Sequence, residues 1–272
     1  MILLVTLIIK AGGIPLDSQN ILERPFITIT NLIWSFDHAT NRVNILLVKR
    51  DNDPYNHYWA LPETFMRSQE SAEETALRLV REKIGMDLSG SHTEQLATFT
   101  NPLRTPGDRA LSLGYMTFLP DKPQLKAGYG ASDARWFTMG YTDKTYTFSD
   151  SDHIFQSTDC PVQRTYYAEF GGTNADPDKH LAFDHEWILK VACERIRNKL
   201  DYQPNILLIL GRQFTLKDAR RVYSPFLKLR VDQIDNSNFK KSHQDLFTDI
   251  GSSEVNGPGR PARLYKLAHL RA

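Results

Sequence analysis

Apolar residues recur along this chain with two different periods. Phe26–Asp37, F-I-T-I-T-N-L-I-W-S-F-D, is β-branched and aromatic with partial alternation; a polar turn over residues 38–41 leads to a second apolar run, residues 43–50. Two such runs joined by a short turn predict a hairpin, and Asp53-Pro54 predicts a turn after it. The period then lengthens. Ala72, Ala76, Val80 and Ile84 recur every fourth residue with Leu77 beside them, predicting a helix with one apolar stripe. Ser71 and Glu74 form a capping box at its start, and Gly85 stands where a left-handed C-terminal cap belongs. Residues 96–100, 110–119 and 134–137 are strand-like and joined by Pro/Gly/Asp-rich connections.

From residue 138 to 179 the composition turns polar and aromatic. That is too long for a structureless connection within a domain, so an insertion is expected with one or two strands, residues 164–170 included. Asp184 then reads as the N-cap of a helix striped by Ile188, Val191, Ala192, Ile196 and Leu200. Residues 205–210, N-I-L-L-I-L, fit a buried helix or a short strand equally. Two more helices follow, capped by Thr215 and by Asp235 or Asn236, then a Gly/Pro turn and a basic strand, R-P-A-R-L-Y-K-L. Helix, turn, helix and two-stranded ribbon is the order of a winged helix.

Composition changes this picture in one respect only. A hydrophobic content of 41% and a charged content of 24% are those of a soluble globular chain, and 272 residues suit two domains. Cys160 and Cys193 are far from any paired zinc spacing and read as free thiols of a cytoplasmic protein. The apolar N-terminus is too short for a membrane span and has no basic residue ahead of it, so an extension over residues 1–20 or an added strand is expected, with no membrane partner. Charge, by contrast, is polarised. Residues 201–272 carry 12 Lys and Arg against 7 Asp and Glu, a net of +5, whereas residues 1–200 carry 21 against 25, a net of −4.

The stretch W-A-L-P-E-T-F-M-R-S-Q-E-S-A-E-E-T-A-L-R-L-V-R-E-K-I-G-M, Trp59 to Met86, resembles the Nudix box, G-x5-E-x7-R-E-U-x-E-E-x-G-U with U aliphatic. Glu70, Arg78, Val80, Glu82, Gly85 and Met86 fall in register. Thr64 stands in place of the Gly, Leu79 of the first helix Glu and Lys83 of the last. The resemblance implies a mixed-sheet α/β/α sandwich over residues 21–140, from which the insertion or linker over 141–180 is a departure, and helix carboxylates that hold Mg2+ for diphosphate cleavage. Here the helix face offers Leu79, Glu82 and Lys83, and the ammonium both repels a dication and competes for Glu82. Hydrolysis of the ordinary kind is therefore not expected. A divergent hydrolase acting on ADP-ribose or another nucleoside diphosphate derivative would take its ligands from Glu70, Glu82 and a loop carboxylate, with Glu82 a weak metal ligand and Mg2+ its cofactor; Arg78 and Glu82 equally make an ordinary i, i+4 helix pair. The cleft itself would persist, with Lys49, Arg50, Arg67 and Arg81 to hold phosphates and Trp59 or Tyr58 to stack on a base.

In the C-terminal unit, residues 181–272, Asn238, Lys240, Lys241, Ser242 and Gln244 suit a recognition helix, and Arg260, Arg263 and Lys266 a wing along the phosphate backbone. Together with L-A-F-D-H and R-P-A-R-L-Y, the chain is similar to the Nudix-related transcriptional regulators. That resemblance implies double-stranded DNA and a nucleotide or sugar effector as partners, ADP-ribose among them, a homodimer, and no required cofactor. A protein-interaction module with a vestigial cleft is the remaining alternative.

Overall fold

The computed structural model describes residues 24–85, 92–120, 122–125, 127–128, 130–170, 176–252 and 261–268. The expected strand or extension over residues 1–20, Met86 and Arg260 lie outside the described residues. The hairpin forms as strands β1 (Phe26–Asp37) and β2 (Arg42–Arg50). Short strands β3 (Trp59–Ala60) and β4 (Glu63–Phe65) pair with β2 and β1 respectively. Helix α1 (Ala72–Ile84) has both halves of its capping box, and Gly85 adopts φ 78° with its N–H on Arg81 O. Then come β5 (Thr93–Phe99), β6 (Ala110–Leu119) and β7 (Ala131–Tyr141), the first and last longer than their apolar runs indicate.

β1 lies at the centre. It runs parallel to β6 from Phe26↔Ala110 to Ser35↔Leu119 and antiparallel to β2, and the sheet order is β5-β6-β1-β2-β7-β8-β9, where β8 is Tyr146–Ser149 and β9 Ile154–Gln156. Because side chains alternate across a strand, β1 feeds two cores. Ile29 and Ile33 pack with Ala76, Val80 and Ile84 of α1, while Leu32, Trp34 and Phe36 enter a larger cluster on the opposite face. Burial on both faces explains why its alternation is only partial.

That second face is covered by the C-terminal half of the chain. Helix α2 (Gln163–Phe170) is followed by α3 (His185–Lys199), a buried 3₁₀ turn Asn205–Leu210, β10 (Phe214–Thr215), α4 (Leu216–Leu227), α5 (Asn236–Ser242) and the strands β11 (Phe247–Ser252) and β12 (Arg263–Leu267). Strand order β10-β12-β11 behind the two capped helices completes a winged helix. Thr215 accepts from Asp218 N and Asp235 from Asn238 N, as the cap residues require. Trp34 of the sheet touches Phe226 of α4, so sheet and winged helix share one apolar cluster.

Two expectations are corrected. Residues 164–170 are helical rather than extended: a strand would send Tyr166 and Tyr167 to opposite faces, whereas both are buried, and Tyr166 meets Phe170 one turn on and stacks on Trp187. Asp184 occupies the N-cap position of α3 but makes no capping bond, because its carboxylate is committed elsewhere.

Candidate functional site

A cleft of about 410 Å³ opens where β1, β4 and the loops after β2 and β5 meet, and it is lined by Phe26, Arg50, Asp53, Glu63, Phe65, Asp108 and Phe183 among others. Its rim is aromatic: Phe26 and Phe65 are exposed and sit edge to face at 5.5 Å. On one wall Arg50 lies 4.8 Å over the Phe183 ring while its Nε donates to Pro54 O and its Nη2 to Asn52 Oδ1, both at 3.0 Å. Burial lowers the pKa of this guanidinium from its ordinary value, opposed by the charges of Glu63, Asp51 and Asp53. Phe183 has φ 56°, a left-handed conformation that a bulky side chain adopts only when its surroundings enforce it.

Beneath the cleft lies a buried polar network. Arg104 forks onto Asp184, Nε to Oδ2 at 3.1 Å and Nη2 to Oδ1 at 3.0 Å, and the Tyr167 hydroxyl donates to Asp184 Oδ2 at 2.6 Å. Glu63 Oε2 accepts from Thr30 Oγ1 at 2.6 Å and lies 3.8 Å from Arg104 Nη2 and 3.6 Å from His185 Nε2. Leu61 N–H donates to His185 Nδ1 at 2.9 Å, so the ring proton is on Nε2, facing Glu63. Burial pushes the Glu63 carboxyl up, but His185, Arg104 and Thr30 overcome it and hold it at about 2. The network joins the cleft floor to the first turn of α3.

The Nudix-like carboxylates are arranged differently. Arg78, only 7% exposed, takes Glu70 through Nε at 2.6 Å and Nη2 at 2.9 Å, takes Glu82 through Nη1 at 3.2 Å, and donates to Phe65 O. Arg78 and Thr75 overcome burial to bring the Glu70 carboxyl down to about 2, with the Arg78 hydrogen bond the largest cause. Leu79 is buried at 1%, and the buried Lys83 ammonium donates to Gly128 O at 2.6 Å, its pKa lowered by burial. These residues do not fit Mg2+. Two of the family's ligand positions carry no carboxylate, and the two glutamates present are paired with Arg78 and approached by Arg67.

Of the phosphate-holding candidates, Arg50 lines the cleft, whereas Lys49, Arg67 and Arg81 are not among its lining residues. Arg67 lies 3.6 Å from both Glu70 and Glu82. Stacking of a base on Trp59 or Tyr58 is corrected: Trp59 is 1% exposed between Phe137 and His153, and Tyr58 is buried against Tyr55. A tryptophan beside a turn looks available in sequence, but β3 turns it into the core. Glu63, Arg104, Tyr167 and His185 were not marked out by the sequence. Their signal is long-range: Arg104 sits in a Pro/Gly-rich loop and meets its partner 80 residues later.

On the winged helix, Asn238, Lys240, Lys241, Ser242, Gln244, Arg263 and Lys266 are all exposed. Gln244 lies just beyond α5 rather than on it, Ser242 Oγ donates back to Asn238 O at 3.0 Å, and Arg263 is paired with Asp249 at 3.0 Å. Lys266 points outward from β12 between the buried Tyr265 and Leu267. No helix among the described residues is long and apolar enough to cross a membrane.

The sheet, box and winged helix define a Nudix domain followed by a DNA-binding winged helix. The NUDIX domain family matches residues 31–156, and the NrtR DNA-binding winged helix domain matches residues 206–267. The two matches follow one another along the chain, a NUDIX domain and then an NrtR-type winged helix domain. It is 24% identical over 248 residues to the ADPR responsive transcriptional repressor NtrR of Acinetobacter baylyi, covering 90% of this chain and 82% of that protein. The structure of a MutT/nudix family protein from Enterococcus faecalis is similar at TM-score 0.77 and 29% identity, over 92% of this chain and 90% of that one. Shewanella oneidensis NrtR complexed with a 27mer DNA shares the fold at TM-score 0.60 and 23% identity, over 89% and 93%.

Proposed function

We propose that this chain is a transcriptional regulator in which a Nudix domain that has lost its metal set binds an ADP-ribose-like effector and the winged helix binds double-stranded DNA as a homodimer. The observation that carries the reading is the pair of facts around Arg78 and Phe183: the glutamates of the box are held by arginines, Arg78 foremost, while the cleft remains open and connects directly to α3. The Acinetobacter relative is named for its response to ADP-ribose. The cleft has complementary chemistry, with exposed Phe26 and Phe65 to meet a base, Asp53 and Asp108 to accept from ribose hydroxyls, and Arg50 to face phosphate. We assign residues 31–156 to sensing and 206–267 to DNA.

The test is fluorescence anisotropy on DNA from upstream of the chain's own and neighbouring genes, with and without ADP-ribose, beside a chromatographic assay for AMP release with Mg2+. Saturable DNA binding that ADP-ribose changes, with no AMP released, is the expected outcome. Robust release of AMP that disappears in Glu82→Gln would instead establish a divergent hydrolase.

A further inference from the structure

A second cavity lies between the two domains, apart from the Nudix cleft. It encloses about 280 Å³ between the β1–β2 turn, the end of β7 and helix α4, and it presents Arg42, Arg221, Arg230 and Tyr141 above the buried side chains of Val43 and Met139. Its lining holds three guanidiniums and no carboxylate, whereas the Nudix cleft sets Asp53, Glu63 and Asp108 against Arg50. Two of the arginines are held from outside the cavity: Arg221 Nη1 by Asp218 at 2.9 Å, and Arg230 through Nε and Nη2 by Asp232 at 3.1 and 3.3 Å. Arg42 makes no ion pair among the described residues. Three guanidiniums against two carboxylates leave the groove with a positive charge.

We infer that this groove is a second effector site, for a small anion carrying one or two phosphoryl groups. Guanidinium groups match phosphate oxygens in a bidentate fork, and those already oriented by a carboxylate lose less freedom when a ligand arrives. The cavity is smaller than the pockets that take drug-sized ligands, which favours a diphosphate or a sugar phosphate over a whole dinucleotide. Its position gives binding a consequence. Arg42 belongs to the sheet and Arg221 and Arg230 to the winged helix, so an anion seated between them favours whichever domain arrangement brings all three together, and DNA affinity and anion affinity must then change each other by the same factor. A DNA backbone offers the same phosphate chemistry from a convex surface, and a recessed groove suits the free anion better.

The experiment titrates inorganic pyrophosphate into the full-length chain by calorimetry on an Arg50→Gln background, so that the Nudix cleft does not contribute. The expected result is saturable binding that weakens at least about tenfold when Arg42→Gln and Arg221→Gln are added, equivalent to ~1.4 kcal/mol, and that Arg42→Lys retains only in part, because an ammonium keeps the charge but not the fork. Matching thermal unfolding of the variants guards against loss of fold. Absence of binding, or binding indifferent to the arginine substitutions, overturns the site. In a second arm DNA binding is followed against salt: an unchanged slope in Arg42→Gln with Arg221→Gln supports the free anion, and a shallower slope assigns these arginines to the DNA backbone and rejects the inference.

Discussion

Glu63 is a half-buried carboxylate on the cleft floor whose partners come from β1, the loop after β5 and the start of α3, and its protonation is coupled to folding. Its folded pKa of about 2 lies below its ordinary 4.5, so it contributes stability that is complete above 4.5 and lost as pH falls towards 2. Urea unfolding of Glu63→Gln beside the unaltered chain should show a deficit at neutral pH that shrinks through that window. Glu70, depressed to a similar value, is present in both proteins and cancels from the difference. The Arg104–Asp184 pair makes a stronger demand, because removing one partner leaves the other charged in the interior. Asp184→Asn should cost about 3–5 kcal/mol, and Arg104→Met combined with Asp184→Leu should recover part of that loss. An equal or larger deficit in the double variant would show that the Tyr167 hydroxyl, not the charge, sets the cost.

At the scale of elements, α1 keeps the shape of the motif although Leu79 and Lys83 stand at two of its carboxylate positions. Ser71 Oγ accepts from Glu74 N at 3.2 Å and Glu74 Oε2 from Ser71 N at 2.7 Å; Ser71→Ala should cost about 1 kcal/mol in thermal unfolding. The helix, its caps and the β1–β2 hairpin were legible in sequence because each is set by neighbours a few residues apart. The winged-helix order was legible for the same reason, through Thr215 and Asp235. What sequence did not convey depends on contacts far apart in the chain: the burial of Trp59, the helical state of residues 163–170, and the diversion of Asp184 from its cap to Arg104. The face of α1 was only partly legible. Spacing puts positions 79, 82 and 83 near one another, but burial takes Leu79 and Lys83 inward and leaves Glu82 to Arg78. Restoring the family's carboxylates with Leu79→Glu and Lys83→Glu should therefore yield a less stable protein and no Mg2+-dependent AMP release. Appearance of hydrolysis would mean that Arg78 yields its glutamates readily.

Across the whole molecule, the winged helix packs on the Nudix sheet itself, and α3 begins at the cleft and packs against α4. An effector that changes the cleft wall therefore acts on the element that carries the DNA-binding unit. Lys240 and Lys241 are exposed at the end of α5; replacing both with Ala should weaken DNA binding and lower the slope of log affinity against log salt by about 1.8 if each neutralises one phosphate. Phe183 is the place to separate sensing from binding. It touches Arg50 in the cleft, holds φ 56° and directly precedes Asp184. With Phe183→Ala the recognition surface is unaltered, so DNA affinity without effector should stay near that of the unaltered chain. The effect of ADP-ribose on that affinity, expected in the 5- to 150-fold range of about 1–3 kcal/mol typical of coupled sites, should shrink. Anisotropy titrations at saturating ADP-ribose separate the alternatives, since saturation removes any change in effector affinity. A full response in the variant would place the coupling in Glu63, His185 and the network below, independent of the Phe183 ring.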